Sequence, residues 1–276
     1  MAWRAYGTDG PAPGGLAGRM GSIEFRLLGP FGAEHDGQLL ALGGRRQRAI
    51  LAVLTIHAGK VLSTDHIAEE IWAGNPPPSA TRTVHAYVSR LRSALRVHEG
   101  GADELFRREP GYVLAVDPMR IDAVRFEHLV EGAVAALDAG YPARANEDLR
   151  DALALWRGEA LADFAYDSFA ATESRRLDGR RLQALELRID TDLALGRHAQ
   201  LVPEVESLVS MYPLRERFWA QCMVALYRCG RQSDALATYG RVRRMLADDL
   251  GLEPGEELRL LERQILEQSA ELGVTR

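Results

Sequence analysis

Cysteine is nearly absent: the 276 residues hold two, Cys222 and Cys229. They stand seven apart on an expected helix, so they share a face and read as small buried apolar residues. A disulfide framework is therefore not expected, which suits a reducing cytoplasm. No apolar run approaches the roughly 20 residues that span a bilayer, so no membrane partner is expected. Residues 1–21 are rich in Gly, Pro and Ala and lack the apolar stretch of a secretory signal. They are expected to form a disordered tail, with Met20 as an alternative start.

Sites for chemistry are also missing. The seven histidines are scattered, without the His-Glu-x-x-His or Cys-x-x-Cys spacing of a zinc site. No Gly-x-Ser-x-Gly elbow appears. Gly59-Lys60 lacks the earlier glycine and the following Ser or Thr of a phosphate-binding loop, so ATP switching is not expected. Glu69-Glu70, Asp248-Asp249 and Glu256-Glu257 read more simply as solvated helix ends than as acid–base pairs. Trp156 and Trp219 sit among apolar helix positions and read as core. The chain is thus read as a non-enzyme with no metal and no cofactor.

The charge is divided unevenly along the chain. The whole carries −5, but residues 21–116 hold eleven Arg and Lys against ten Asp and Glu, and residues 117–276 hold twenty-one against twenty-eight. Basic groups of the front part cluster at 45–48, 82–96 and 107–108. A polyanion responds to the local patch more than to the total.

Short strands are expected at 23–28, 31–34 and 39–42, with Asp36-Gly37 as a hairpin signal. A helix over 45–58 follows, with Ile50, Leu51, Leu54 and Ala58 inward and Gly59 ending it. Ser63 or Thr64 can cap a second helix reaching Trp72, with Ile67 and Ile71 on its core side. Asn75-Pro76-Pro77-Pro78 stops that helix, and Ser79 is a plausible cap for a third, Ala80 to Arg96. A glycine-turned hairpin around Glu109-Pro110-Gly111-Tyr112 closes this part. The result is one unit of about a hundred residues.

The third helix carries the functional signal. Val84, Val88, Leu91 and Leu95 recur at i, i+4, i+7 and i+11 and face a core. The opposite face carries Arg82, Thr83, Ala86, Ser89, Arg90 and Ser93. Ala86, Ser89 and Ser93 are small enough for close approach to base edges, while Arg82 and Arg90 are forks suited to guanine edges or phosphates. His85, Tyr87, Arg92 and Arg96 flank that face. A basic helix followed closely by a hairpin is how a winged helix-turn-helix meets DNA, helix in the major groove and hairpin on the flanking backbone or minor groove. A solvated amphipathic helix is the plainer alternative.

Beyond Val116 the periodicity is wholly helical, with stretches at 122–138, 142–156, 168–195, 198–211, 215–229, 231–249 and 254–268. Leu195-Gly196-Arg197-His198-Ala199 and Cys229-Gly230-Arg231-Gln232-Ser233 repeat at an offset of 34 residues, the tetratricopeptide period. Ala235, Tyr239 and Leu246 fall at packing positions of that repeat. The signal is degenerate, and a generic helical bundle stays open. Either way this half reads as an α-helical interaction module. The fold class is mainly α: an N-terminal α+β winged helix-turn-helix, then an all-α tetratricopeptide-like domain.

These motifs together resemble the Streptomyces antibiotic regulatory proteins (SARP), the AfsR/DnrI/RedD type. Phe25-Arg26-Leu27-Leu28-Gly29-Pro30 resembles that family's first strand, and residues 44–54 its first helix. Ala68 to Trp72 with the prolines after it, Val84 to Leu95, and Pro110 to Leu114 resemble its second helix and turn, recognition helix and wing. Leu155 to Leu161 and Asp248 to Gly255 resemble its activation domain. The resemblance implies an OmpR-type winged helix over 22–117 and a bacterial transcriptional activation domain over 120–270. It implies an activator of a secondary-metabolite gene cluster, binding direct repeats of promoter DNA near the −35 element and recruiting RNA polymerase through sigma and other subunits.

Carried over by position, Arg90 reads a base, with Arg82, Thr83, Tyr87, Ser89 and Arg92 at or near DNA. Trp72 approaches a phosphate through its indole N–H, and Arg107 and Arg108 touch the flanking groove. For Arg45, Arg46 and Arg48 two readings stay open: contact with phosphate or polymerase, and a solvated helix start. Larger members carry a nucleotide-binding module where this chain ends, and no acidic receiver domain precedes the winged helix here. Pairing of two copies through the helical half is left open. Two other functions also stay open, a small-molecule sensor that gates DNA binding and a helical protein-interaction scaffold.

Overall fold

The computed structural model describes residues 22–96, 104–269 and 272. The tail expected over 1–21 and the start at Met20 lie outside them. Strands β1 (Ile23–Arg26), β2 (Gly32–His35) and β3 (Gln38–Leu39) form an antiparallel sheet in that order. All three are shorter than, or shifted from, the sequence reading. β1 ends before Leu27 because the N–H groups of Leu27 and Leu28 turn away to the carboxylate of Asp122, at 2.7 and 3.2 Å.

Helix α1 (Arg45–Ile56) buries Ala49, Ile50, Leu51, Val53 and Leu54; Ala58, expected inward, lies beyond the helix and is half-buried. Strand β4 (Leu62–Ser63), which the sequence reading missed, leads into α2 (Thr64–Ile71). Ser63 caps α2 by accepting the N–H of His66 at 3.1 Å. Helix α3 (Ala80–Leu95) buries Val84, Val88, Leu91 and Leu95, the four positions its period selects. Ser79 does not cap it with its hydroxyl. The residue's backbone (φ −90°, ψ 3°) is outside the extended region that turns an N-cap side chain over the first turn. Its carbonyl accepts the N–H and hydroxyl of Thr83 instead, at 3.0 and 2.9 Å.

Strands β5 (Leu105–Arg108) and β6 (Gly111–Leu114) form the hairpin, and β4 joins its other edge, giving the order β4-β6-β5. Gly111 is not the turn residue expected. Glu109 and Pro110 make the turn, while Gly111 pairs with Ser63 and Arg108 inside the sheet. A Cβ at Gly111 would stand 1.9 Å from the carbonyl oxygen of Leu62, so glycine is needed for strand approach.

The remainder is helical: α4 (Asp122–Asp138), α5 (Pro142–Ala154), α6 (Ser168–Ala194), α7 (His198–Met211), α8 (Glu216–Arg228), α9 (Gln232–Leu250) and α10 (Glu256–Leu266). Three helix joints share one turn. Gly140, Gly196 and Gly230 adopt φ of +80, +75 and +76°, and the following N–H returns to the carbonyl five residues back in each. This is the left-handed helix stop that glycine accepts at no steric cost. Gly196 and Gly230, at the 34-residue offset, thus end their helices in the same way, and Ala235, Tyr239 and Leu246 are all buried. Cys222 is buried as expected, but Cys229, at the C-cap of α8, is only half-buried.

The hydrophobic core does not break near residue 117. One continuous cluster runs from Ile23 through α1–α3 and the wing to α4, α5 and the first part of α6. Phe25, Phe126 and Phe164 are fully buried in it, each worth about 1.5–3 kcal/mol of transfer free energy. A second cluster joins the end of α6 to α7–α10. Asp122 fastens the junction: it is buried, accepts from Leu27 and Leu28, and meets an Arg157 Nη at 2.5 Å.

Candidate nucleic-acid interface

At 100° per residue, α3 divides into a core face, an outward face and two flanks. The core face is fully occupied, so the helix has one orientation. Arg82, Ala86, Ser89, Arg90 and Ser93 are exposed on the outward face, and Thr83 is half-buried at its start. Thr83 and Ser93 donate their hydroxyls to carbonyls one turn back, Ser79 at 2.9 Å and Ser89 at 3.2 Å, which leaves their oxygens free to accept. Arg82 and Arg90 have no carboxylate partner among the described residues. The Arg90 guanidinium carbon lies 5.8 Å from the centre of the Tyr87 ring.

The wing grips one flank. His85 Nδ1 lies 2.5 Å from the Tyr112 hydroxyl, and Arg92 Nε donates to the Leu105 carbonyl at 2.7 Å. The Arg92 guanidinium also stacks on the Tyr112 ring, 5.8 Å from its centre. His85 and Arg92 therefore fix the angle between helix and hairpin. Beyond them Arg107 and Arg108 are exposed at the tip of β5. Arg107 has an exposed ion pair with Glu109 at 3.5 Å, a contact worth little in water, and Arg108 has none among the described residues. Below the hairpin, burial pushes the Glu104 carboxyl above its ordinary value while its bond to Arg120 pulls the other way.

The N-terminus of α1 and the end of α2 flank the other side. Trp72 closes α2 half-buried, with the Arg46 guanidinium 5.7 Å from its ring centre. Its indole N–H has no acceptor among the described residues. Arg45 and Arg48 behave differently from Arg46. Arg45 pairs with Asp167 at 2.5 Å and lies over Phe164, and Arg48 pairs with Asp163 at 3.3 Å. Both cations are engaged with the segment ahead of α6, a use that neither reading of the sequence included.

The structure thus brings Arg46, Trp72 and Tyr87 to one flank and His85, Arg92, Arg107 and Arg108 to the other, and sets the outward face between them, with Arg90 at its edge beside Tyr87. Sequence reasoning missed Gln47. Placed among arginines it reads as solvated, yet it is 7 % exposed. Among the described residues no group of three or more His, Cys, Asp or Glu side chains could hold a metal ion, and no helix is long and apolar enough to cross a membrane.

Residues 37–114 match the family model described as "Transcriptional regulatory protein, C terminal", and residues 121–266 match "Bacterial transcriptional activator domain". The chain is 37% identical over 260 residues to Regulatory protein DnrI of Streptomyces peucetius, covering 92% of this chain and 95% of that protein. It is 40% identical over 254 residues to Regulatory protein AfsR of Streptomyces coelicolor, where 92% of this chain corresponds to 25% of the relative. A solved structure of Mycobacterium tuberculosis EmbR, in complex with a low affinity phosphopeptide, superimposes with a TM-score of 0.85 at 36% identity, covering 89% of this chain and 65% of that one.

Proposed function

Because the chain belongs to the Streptomyces antibiotic regulatory protein family, we propose that it is a sequence-specific DNA-binding activator of transcription for an antibiotic gene cluster. The outward face of α3 carries this reading. Two exposed arginines without carboxylate partners among the described residues stand among alanine and serines on a helix held in one orientation by its core face. In the major groove, Arg90 and Arg82 take base edges, and Ala86, Ser89 and Ser93 let the helix come close. Thr83, Tyr87, Arg46 and Trp72 meet the backbone on one side, and Arg92, Arg107 and Arg108 meet it on the wing side.

Activation follows by recruitment of RNA polymerase, sigma among its subunits, from direct repeats near the −35 element. About 1–3 kcal/mol of contact with polymerase raises its occupancy roughly 5–150-fold. The continuous core and the Asp122 junction support such transmission, because the helical half does not swing freely from the winged helix. Two copies on adjacent repeats gain affinity through effective concentration.

Footprinting on the upstream regions of the chain's own gene neighbourhood tests the proposal. Protection of tandem repeats, with polymerase retained beside them, is the expected result. Absence of protection across all those regions at low salt contradicts it.

A further inference from the structure

Between the start of α1 and the flank of α3 lies a cavity of about 410 Å³, lined by Gly44, Arg45, Arg46, Gln47, Tyr87 and Arg90. Among the described residues no carboxylate lines it. Arg45 turns its guanidinium away to Asp167. Arg46 and Arg90 rest on the Trp72 and Tyr87 rings and have no acidic partner among the described residues.

The donors at its back are also unused. Gly44 starts α1 with no side-chain cap, and the first backbone N–H of the helix to find a carbonyl is that of Arg48, on Gly44 at 3.0 Å. The N–H groups of Arg45, Arg46 and Gln47 have no acceptor among the described residues. A free helix start of this kind favours anions. The independent observation is the Gln47 side chain. It is 7 % exposed, lines the cavity, and its amide has no hydrogen-bond partner among the described residues. Room for that amide depends on Gly43, at φ +83°, where a Cβ would stand 2.8 Å from Gln47 Cδ and Oε1. The amide lies at the cavity wall rather than sealed in the core, where a bound anion can complete its hydrogen bonds.

We propose that this cavity is a phosphate seat, taking one phosphodiester of bound duplex DNA through the Gln47 amide, the first-turn N–H groups of α1 and the guanidinium of Arg46. The seat rests on the DNA-binding reading of α3. It adds to that reading a fixed backbone anchor, on the flank opposite the wing, that sets the depth and register of the helix in the groove.

Fluorescence anisotropy of the full chain against a mixed-sequence 30-bp duplex, with inorganic phosphate as a second probe, tests the seat. Each neutralised phosphate contributes roughly a 3- to 4-fold loss of affinity between about 50 and 200 mM salt. Arg46→Gln should lower the salt slope by about one. Gln47→Glu, which sets a carboxylate into the cavity at nearly constant size, should weaken binding at least about 10-fold at low salt. Gln47→Leu, which stays apolar and buried, should weaken it less with the slope retained, and it keeps the test valid if the glutamate variant unfolds. Wild-type affinity in both Gln47 variants overturns the proposal. So does saturable binding of inorganic phosphate, lost in Gln47→Glu, with duplex binding unchanged, because the seat then serves a free anion. If the wild type binds no duplex, the reading of α3 fails. A phosphate titration followed by tryptophan fluorescence then decides the seat alone, and no response overturns it.

Discussion

Asp122→Ala should destabilise the winged helix and the helical half together. The carboxylate is 4 % exposed; it accepts Leu27 N–H at 2.7 Å and Leu28 N–H at 3.2 Å and meets Arg157 at 2.5 Å. Arg157 and Leu161 return their own N–H groups to Leu28 and Leu27, at 2.8 and 2.9 Å. Alanine leaves two buried main-chain donors without an acceptor and takes the carboxylate from the Arg157 guanidinium, which keeps the Leu155 carbonyl at 3.0 Å. Each stranded buried donor costs about 1–3 kcal/mol, and removing one side of a buried ion pair costs about 3–5 kcal/mol. Arg157 is one-third exposed, keeps a carbonyl partner and can rehydrate, so its share falls to about 1–2 kcal/mol, and with about 1 kcal/mol for each stranded donor the combined loss should be about 3–4 kcal/mol. With a urea dependence of about 3 kcal/mol per molar, the midpoint drops by about 1 M. Far-ultraviolet circular dichroism reports all the helices, and tryptophan fluorescence reports the first core through Trp72 and Trp156 and the second through Trp219. Both signals should move together. A midpoint shift below about 0.3 M refutes the energetic argument. Separate wild-type transitions for the winged helix and for α4–α5 refute the shared core.

Two smaller changes test other parts of the fold. Gly111→Ala forces β4 away from β6, because the added carbon meets the Leu62 carbonyl; it should cost about 1–3 kcal/mol in thermal unfolding and loosen the wing on DNA. Burial pushes the Cys222 thiol up to about 11, so at pH 8 about one molecule in a thousand holds the thiolate. A thiol reagent should label half-buried Cys229 first and reach Cys222 only on unfolding; rapid labelling of both thiols in the native chain contradicts the packing of α8.

Much of this architecture is legible in the sequence because it rests on local periodicity. The four apolar positions of α3 are read off its spacing, and the ends of α4, α6 and α7 fall within a residue of where the pattern stops. The helix joints at Gly140, Gly196 and Gly230 are legible because their turns need glycine at φ > 0. Long-range effects are what the sequence hides. The early end of β1 depends on a carboxylate 95 positions away. The role of Gly111 depends on a strand of two residues, too short to show a pattern. Arg45, Arg46 and Arg48 look alike in sequence, and only the segment carrying Asp163 and Asp167 separates them. Gln47 carries no signal at all, since its burial comes from the glycine beneath it and the neighbouring α3.

The measurement that bears most directly on the central claim is the ratio of Arg90→Ala affinities for a footprinted repeat and for the same duplex with its bases scrambled, at fixed salt. The account predicts that this ratio falls by about 1–3 kcal/mol, roughly 5- to 150-fold, with a smaller change on the scrambled duplex. An unchanged ratio with intact folding contradicts it and removes α3 from the groove.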